Sequence, residues 1–155
     1  MSSREKDRLL ILSGGLFLIL TDQTLKYLAR TNQAAGLTWK NIIGWEFFAN
    51  SGIAFNIPFP AIVLNILTPL IIFYLIVLLL KSDKNKFRFL ALTLIISGAL
   101  SNYLDRILFG VTIDYLRFFT SIINLADIII LIGVVILLSK SYNLKRVIRP
   151  DVKSR

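Results

Sequence analysis

The chain contains no cysteine and no histidine. That double absence removes thiol nucleophiles, disulfide frameworks, zinc sites of the usual nitrogen and sulfur kind, and serine triads that depend on an imidazole. Charge is also scarce: 17% of residues are Asp, Glu, Lys or Arg, against about 25% in ordinary soluble domains. In their place stand apolar residues, 55% of the 155, with a mean hydropathy of +0.71. Disorder needs the opposite balance, so the composition points to a lipid environment. Whatever catalysis the chain performs has to rest on carboxylates, hydroxyls, Lys or Arg.

The 18 Lys and Arg outnumber the 9 Asp and Glu, a net charge of +9. Such an excess can mark a nucleic-acid or anionic-lipid partner, and position decides between them. Thirteen of the 18 cations lie in three short stretches, Arg4 to Arg8, Lys81 to Arg88 and Lys140 to Arg155, each beside an apolar run. This is the cytoplasmic-loop pattern of the positive-inside rule. In and beside these stretches aromatic rings interleave with the cations at few positions, Phe87 and Phe89 among them, so no nucleic-acid partner is expected.

Four runs approach the 20 or so apolar residues that cross about 30 Å of hydrocarbon: about 9–28, 60–80, 89–108 and 121–139. The expected architecture is all-α and polytopic, a single membrane domain with tails 1–8 and 140–155 on the cytoplasmic side and the connections 29–59 and 109–120 outside. Arg4, Lys6 and Arg8 followed by Leu9 to Thr21 also imitate a secretory signal peptide, but Asp22-Gln-Thr-Leu-Lys26 is a poor cleavage region; the first run is therefore read as a span. In the insertion at about 36–56, aromatic and β-branched residues flank Gly44, which predicts two short strands and a small extracytoplasmic sheet between the first two helices. Trp39 and Trp45 there suit the headgroup region.

Ionisable residues within a span cost about 2.5–3.5 kcal/mol each on insertion scales, so they need partners or a purpose. At 1.5 Å rise per residue, Asp22 and Asp105 lie roughly 20 and 24 Å up their helices, and Asp127 roughly 9 Å below the outer end of the fourth. Asp22 and Lys26 are spaced i,i+4, Asn102 and Asp105 i,i+3, Asn102 and Arg106 i,i+4, and Asn124 and Asp127 i,i+3, so each set shares a helix face. Polar stripes at one depth on several helices predict a single polar cluster just beneath the outer surface. Asp114 lies 13 residues before Asp127, in a connection long enough to fold it over the helix mouth. Two carboxylates that meet there would share a proton, one acting as base toward water and the other as acid toward a carbonyl.

Four blocks carry a resemblance to a known family: Thr21-Asp-Gln-Thr-Leu-Lys26; Asn50-Ser-Gly-Ile-Ala-Phe55; Gly98-Ala-Leu-Ser-Asn-Tyr-Leu-Asp-Arg106; and Ile113-Asp-Tyr115 with Asn124-Leu-Ala-Asp127. In this order the chain resembles the lipoprotein signal peptidases (signal peptidase II), four-span aspartic proteases of the bacterial inner membrane. The resemblance implies Asp114 and Asp127 as catalytic, Asn50, Gly52, Asn102, Arg106 and Asn124 as substrate-binding, and Asp22, Lys26 and Asp105 as structural support. It implies no cofactor and no metal. The implied partners are membrane lipid and a prolipoprotein whose Cys already carries a diacylglyceryl group, the bond before that Cys being cut, with the chain acting as a monomer. Three positions depart from the family's common pattern: Ile53 stands for Ala, Ser101 for Gly before Asn102, and Ile123 for Phe before Asn124. None alters an ionisable group.

Blander roles compete. Asp22 and Lys26 can be an ion pair that eases insertion, Asp105 and Arg106 an interfacial anchor, and Gly98, Ala99 and Ser101 a surface for close helix contact. A small transport or assembly protein without protease activity is the alternative function, although transporters place their acids near the midplane.

Overall fold

The computed structural model describes residues 1–32, 37–40, 42–53, 57–82 and 85–148, the last of these, 140–148, as backbone only. Ala54 and Phe55 of the second motif block, Lys84 of the basic connection and the basic residues beyond 148 lie outside the described residues.

Four helices run in chain order with two pairs of strands between them. The first, α1 (Ser3–Thr31), begins at a capping box in which Ser2 and Glu5 satisfy each other's backbone N–H groups. After it come β1 (Leu37–Trp39) and β2 (Ile43–Asn50), then α2 (Ala61–Leu80), started by Pro60. The next helix, α3 (Lys86–Phe109), is capped by Asn85 and stopped by Gly110, whose φ of +76° is a conformation that glycine adopts freely. Then follow β3 (Thr112–Phe118), β4 (Ser121–Ile123) and α4 (Leu125–Ile148).

Three helices, α1, α2 and α3, are long and apolar enough to cross a membrane, and the apolar part of α4, Leu125–Ser139, is shorter. Large apolar side chains cover their outer faces: Leu10, Phe17, Ile62, Phe73 and Leu131 are all more than 60% exposed. In water such a surface would aggregate; in lipid it costs nothing.

The core sits on α3, which packs against each of the other helices. Small residues set the spacing. A Cβ on Gly98 would lie 2.5 Å from the carbonyl oxygen of Ala126 and 2.6 Å from Ile130 Cγ1, and one on Gly133 would lie 2.7 Å from Ala91 O. Helices α3 and α4 therefore touch backbone to backbone, as membrane helices with small residues at the contact do.

The sheet differs from expectation. Its four antiparallel strands run in the order β1-β2-β3-β4, so only half of it comes from the insertion between α1 and α2. The connection 109–120, expected as a loop, supplies β3 and the turn, and β4 takes the residues where the fourth span was to begin. The physical reason is the free edge of β2, whose backbone groups need a partner. Ile43 to Trp45 pair with Phe118 to Leu116, and Phe48 to Asn50 pair with Asp114 to Thr112, with a register shift between Trp45 and Phe48. Helix α4 thus starts at Leu125, which puts Asp127 in its first turn and not six residues deep.

Candidate active site

Asp114 is carried mid-strand in β3, not on a flexible loop, and is 1% exposed. Asn50, at the end of the paired strand β2, donates from Nδ2 to Asp114 Oδ2 at 2.8 Å. Asn124 donates from Nδ2 to Asp114 Oδ1 at 2.6 Å. Burial pushes the Asp114 carboxyl up to about 7, against the hydrogen bond from Asn50, and the charge of Asp127 pushes the same way as burial.

Asn124 also caps α4, its Oδ1 accepting the backbone N–H of Asp127 at 2.9 Å. The Asp127 carboxylate accepts at 2.9 Å from Asn102 Nδ2. Asn102 is itself oriented from behind, because its Oδ1 accepts from Lys26 Nζ at 2.9 Å and from Asn124 Nδ2 at 3.1 Å. With the oxygen so engaged, its amide nitrogen has to face Asp127. Asp114 and Asp127 are thereby joined through two asparagines.

Beneath this pair lies a fully buried charge cluster. Lys26 Nζ is 2.8 Å from Asp22 Oδ2 and 2.8 Å from Asp105 Oδ2. Asp105 accepts the backbone N–H of Ile113 at 3.1 Å, tying α3 to the strand that holds Asp114. Asp22 accepts from Ser101 Oγ at 2.6 Å, from the Tyr115 hydroxyl at 2.9 Å and from the backbone N–H of Ala126 at 3.3 Å. An ion pair with this many donors is compensated for its desolvation. The single predicted cluster is present, and all ten residues singled out in the sequence meet in it.

Arg106 closes the rim, donating to the carbonyl oxygen of Gly52 at 3.3 Å. Gly52 is itself held by Asn50, whose Oδ1 accepts its N–H at 2.8 Å. A Cβ there would meet Ile57 O at 2.1 Å, so only glycine fits. From this polar end a groove of about 480 Å³ runs between α2, α3 and α4, with Asn102, Arg106 and Asp127 at its head and Leu64, Ile71 and Leu131 along its walls.

A family model described as signal peptidase (SPase) II matches residues 15–143. The chain belongs to the signal peptidase II family. Its relatives include the lipoprotein signal peptidase of Bartonella quintana (strain Toulouse), 38% identical over 140 residues that cover 81% of this chain and 83% of that protein. That of Halothermothrix orenii is 33% identical over 128 residues, covering 79% of this chain and 88% of that one. A solved bacterial membrane enzyme superposes with a TM-score of 0.77 at 26% identity, covering 96% of this chain and 93% of its own. Signal peptidase II is a family of membrane peptidases, and a transport or assembly role without protease activity is not favoured.

Three members of the cluster escaped sequence reading, the first being Ser101, read as a small packing residue but donating to Asp22. Gln23 donates from Nε2 to Ser101 O, Ser101 Oγ and Asp105 Oδ1 at 2.9–3.0 Å; an amide inside an apolar run was the available clue. Tyr115 left none, because an aromatic residue after Asp114 reads as packing.

Proposed function

We propose that the chain is an aspartic endopeptidase of the bacterial inner membrane that removes the signal peptide from diacylglyceryl-modified prolipoproteins, cutting before the lipidated Cys. The observation that carries this reading is the convergence of Asp114 and Asp127, held from both sides by Asn50, Asn102 and Asn124. A carboxyl whose pKa stands at about 7 beside a second carboxylate suits a pair that shares one proton at neutral pH.

In that state one aspartate takes a proton from water as its oxygen attacks the scissile carbonyl carbon, and the other gives its proton to the carbonyl oxygen. The resulting diol collapses when the first aspartate passes its proton to the amide nitrogen, the carbon–nitrogen bond breaks and a diol hydroxyl returns its proton to the second aspartate, leaving the pair with one proton again. Asn50, Gly52, Asn102, Arg106 and Asn124 bind the peptide around the pair. Lys26, Asp22 and Asp105 hold the floor in place. The apolar groove suits the acyl chains, each buried CH₂ contributing about 0.8 kcal/mol.

This reading places four spans in the membrane, α4 included, with both termini cytoplasmic and the sheet outside, the cations of the 81–88 connection lying with the tails. The test is purified protein with a lipid-modified prolipoprotein. Wild type should cleave it, whereas Asp114→Asn and Asp127→Asn should each fold and fail. Full activity in either variant would overturn the assignment.

A further inference from the structure

Asp22, 0% exposed, sits where its own helix α1 meets α3, β3 and α4. Its Oδ2 accepts from Ser101 of α3 and pairs with Lys26 of its own helix; its Oδ1 accepts the hydroxyl of Tyr115 at 2.9 Å and the backbone N–H of Ala126 at 3.3 Å. The Tyr115 oxygen is also an acceptor, taking the backbone N–H of Leu125 at 3.1 Å. Tyr115 directly follows Asp114 in β3, and Leu125 and Ala126 directly precede Asp127 in α4. One hydroxyl on one carboxylate therefore connects the neighbours of both aspartates.

Packing does not require that hydroxyl. The Tyr115 ring lies against Trp45 with centroids 4.8 Å apart, and a phenylalanine ring would fill the same space. Burying a hydroxyl is costly unless it is bonded, and here the hydroxyl carried by β3 is bonded twice, donating to Asp22 of α1 and accepting from Leu125 of α4.

We propose that Tyr115 is a positioning residue for the peptidase reaction: its hydroxyl, seated on Asp22, fixes the separation of the strand that carries Asp114 from the helical turn that carries Asp127. The inference rests on the reading of those two aspartates as the catalytic pair. Proton transfer from water and attack on a carbonyl tolerate little error in such a separation, and a misplacement of about 1 Å can cost about 100-fold in rate. The bridge leaves the groove untouched, so binding should not depend on it.

Two substitutions remove the bridge from opposite sides. Tyr115→Phe deletes the hydroxyl and keeps the ring on Trp45. Leu125→Pro deletes the N–H that the hydroxyl accepts, at the first position of α4, where proline is well tolerated. With the lipid-modified prolipoprotein as substrate, each should lower kcat about 10- to 100-fold and leave KM within about twofold, the signature of an interaction made for the reacting geometry and not for uniform binding. Melting temperatures measured in parallel separate this from lost folding. If both variants kept kcat within about twofold of the parent, or if the loss lay in KM or matched a fall in the folded fraction, the positioning role would be overturned. Asp114→Asn run beside them tells the two failures apart. Its retention of activity sinks the catalytic pair and this inference together; its inactivity beside two fully active bridge variants sinks this inference alone.

Discussion

Asn124 touches Asp114 and Asp127 at once, donating to the carboxylate of the first at 2.6 Å and accepting the backbone N–H of the second at 2.9 Å. Both ends of its amide are in use, so no other side chain of that size substitutes. Asn124→Asp keeps the acceptor that caps α4 but replaces the donor with a third negative charge beside two carboxylates. The variant should remain folded, since Asp caps a helix as well as Asn does. Cleavage should fall about 100-fold, measured as kcat on the lipid-modified substrate.

Asp114 imposes a stability cost that depends on pH. Its carboxyl titrates at about 7 in the folded protein against 3.8 as its reference value. The folded state thus holds this proton more tightly than the unfolded chain, and the stability that follows is complete below about pH 4 and lost as pH rises through about 7. At about 1.4 kcal/mol per pKa unit the loss is on the order of 4 kcal/mol. Asp114→Asn should therefore melt higher than the parent at pH 8, with the difference vanishing near pH 4 in detergent melting curves. Activity should decline above neutrality, when both aspartates are ionised.

Lys26 is the only cation among the described residues that pairs with both Asp22 and Asp105. Removing it strands two buried carboxylates, a loss of about 3–5 kcal/mol for a broken buried pair. Lys26→Met should be poorly folded or inactive, as read by the yield of monodisperse protein. Lys26→Arg should restore little, because a planar guanidinium cannot occupy the same point between two carboxylates and Asn102.

Gly98 determines how closely α4 approaches α3. In Gly98→Ala the new methyl would stand 2.5 Å from Ala126 O, the residue before Asp127. The helices must part to admit it, at about 1–3 kcal/mol. The melting temperature should fall, and activity should fall further than stability because Asp127 moves with its turn. Equal losses in both would show that Asp127 had stayed in place.

The helices were legible because their apolar runs are long; the structure adds that Asn85 and Gly110 bound α3 by capping rules. The polar cluster was legible because acids inside apolar helices have few places to go. Strands β3 and β4 were not, and the burial of β3 explains it. Thr112, Ile113, Asp114 and Tyr115 are all buried, so the strand lacks the alternation by which a half-exposed strand announces itself. Its partner β2 lies more than 60 residues earlier, a pairing that no local pattern encodes. Tyr115 escaped for a similar reason, since its value lies in Asp22 on the first helix.

The β2–β3 ladder has a consequence for biogenesis. Asn50 leaves the ribosome long before Asp114, and Asn124 and Asp127 follow later still, so a half-made chain holds Asn50 and Gly52 without either acid. Pairing so distant in sequence is slow to form. The two acids can therefore meet only after the first turn of the final helix has been made.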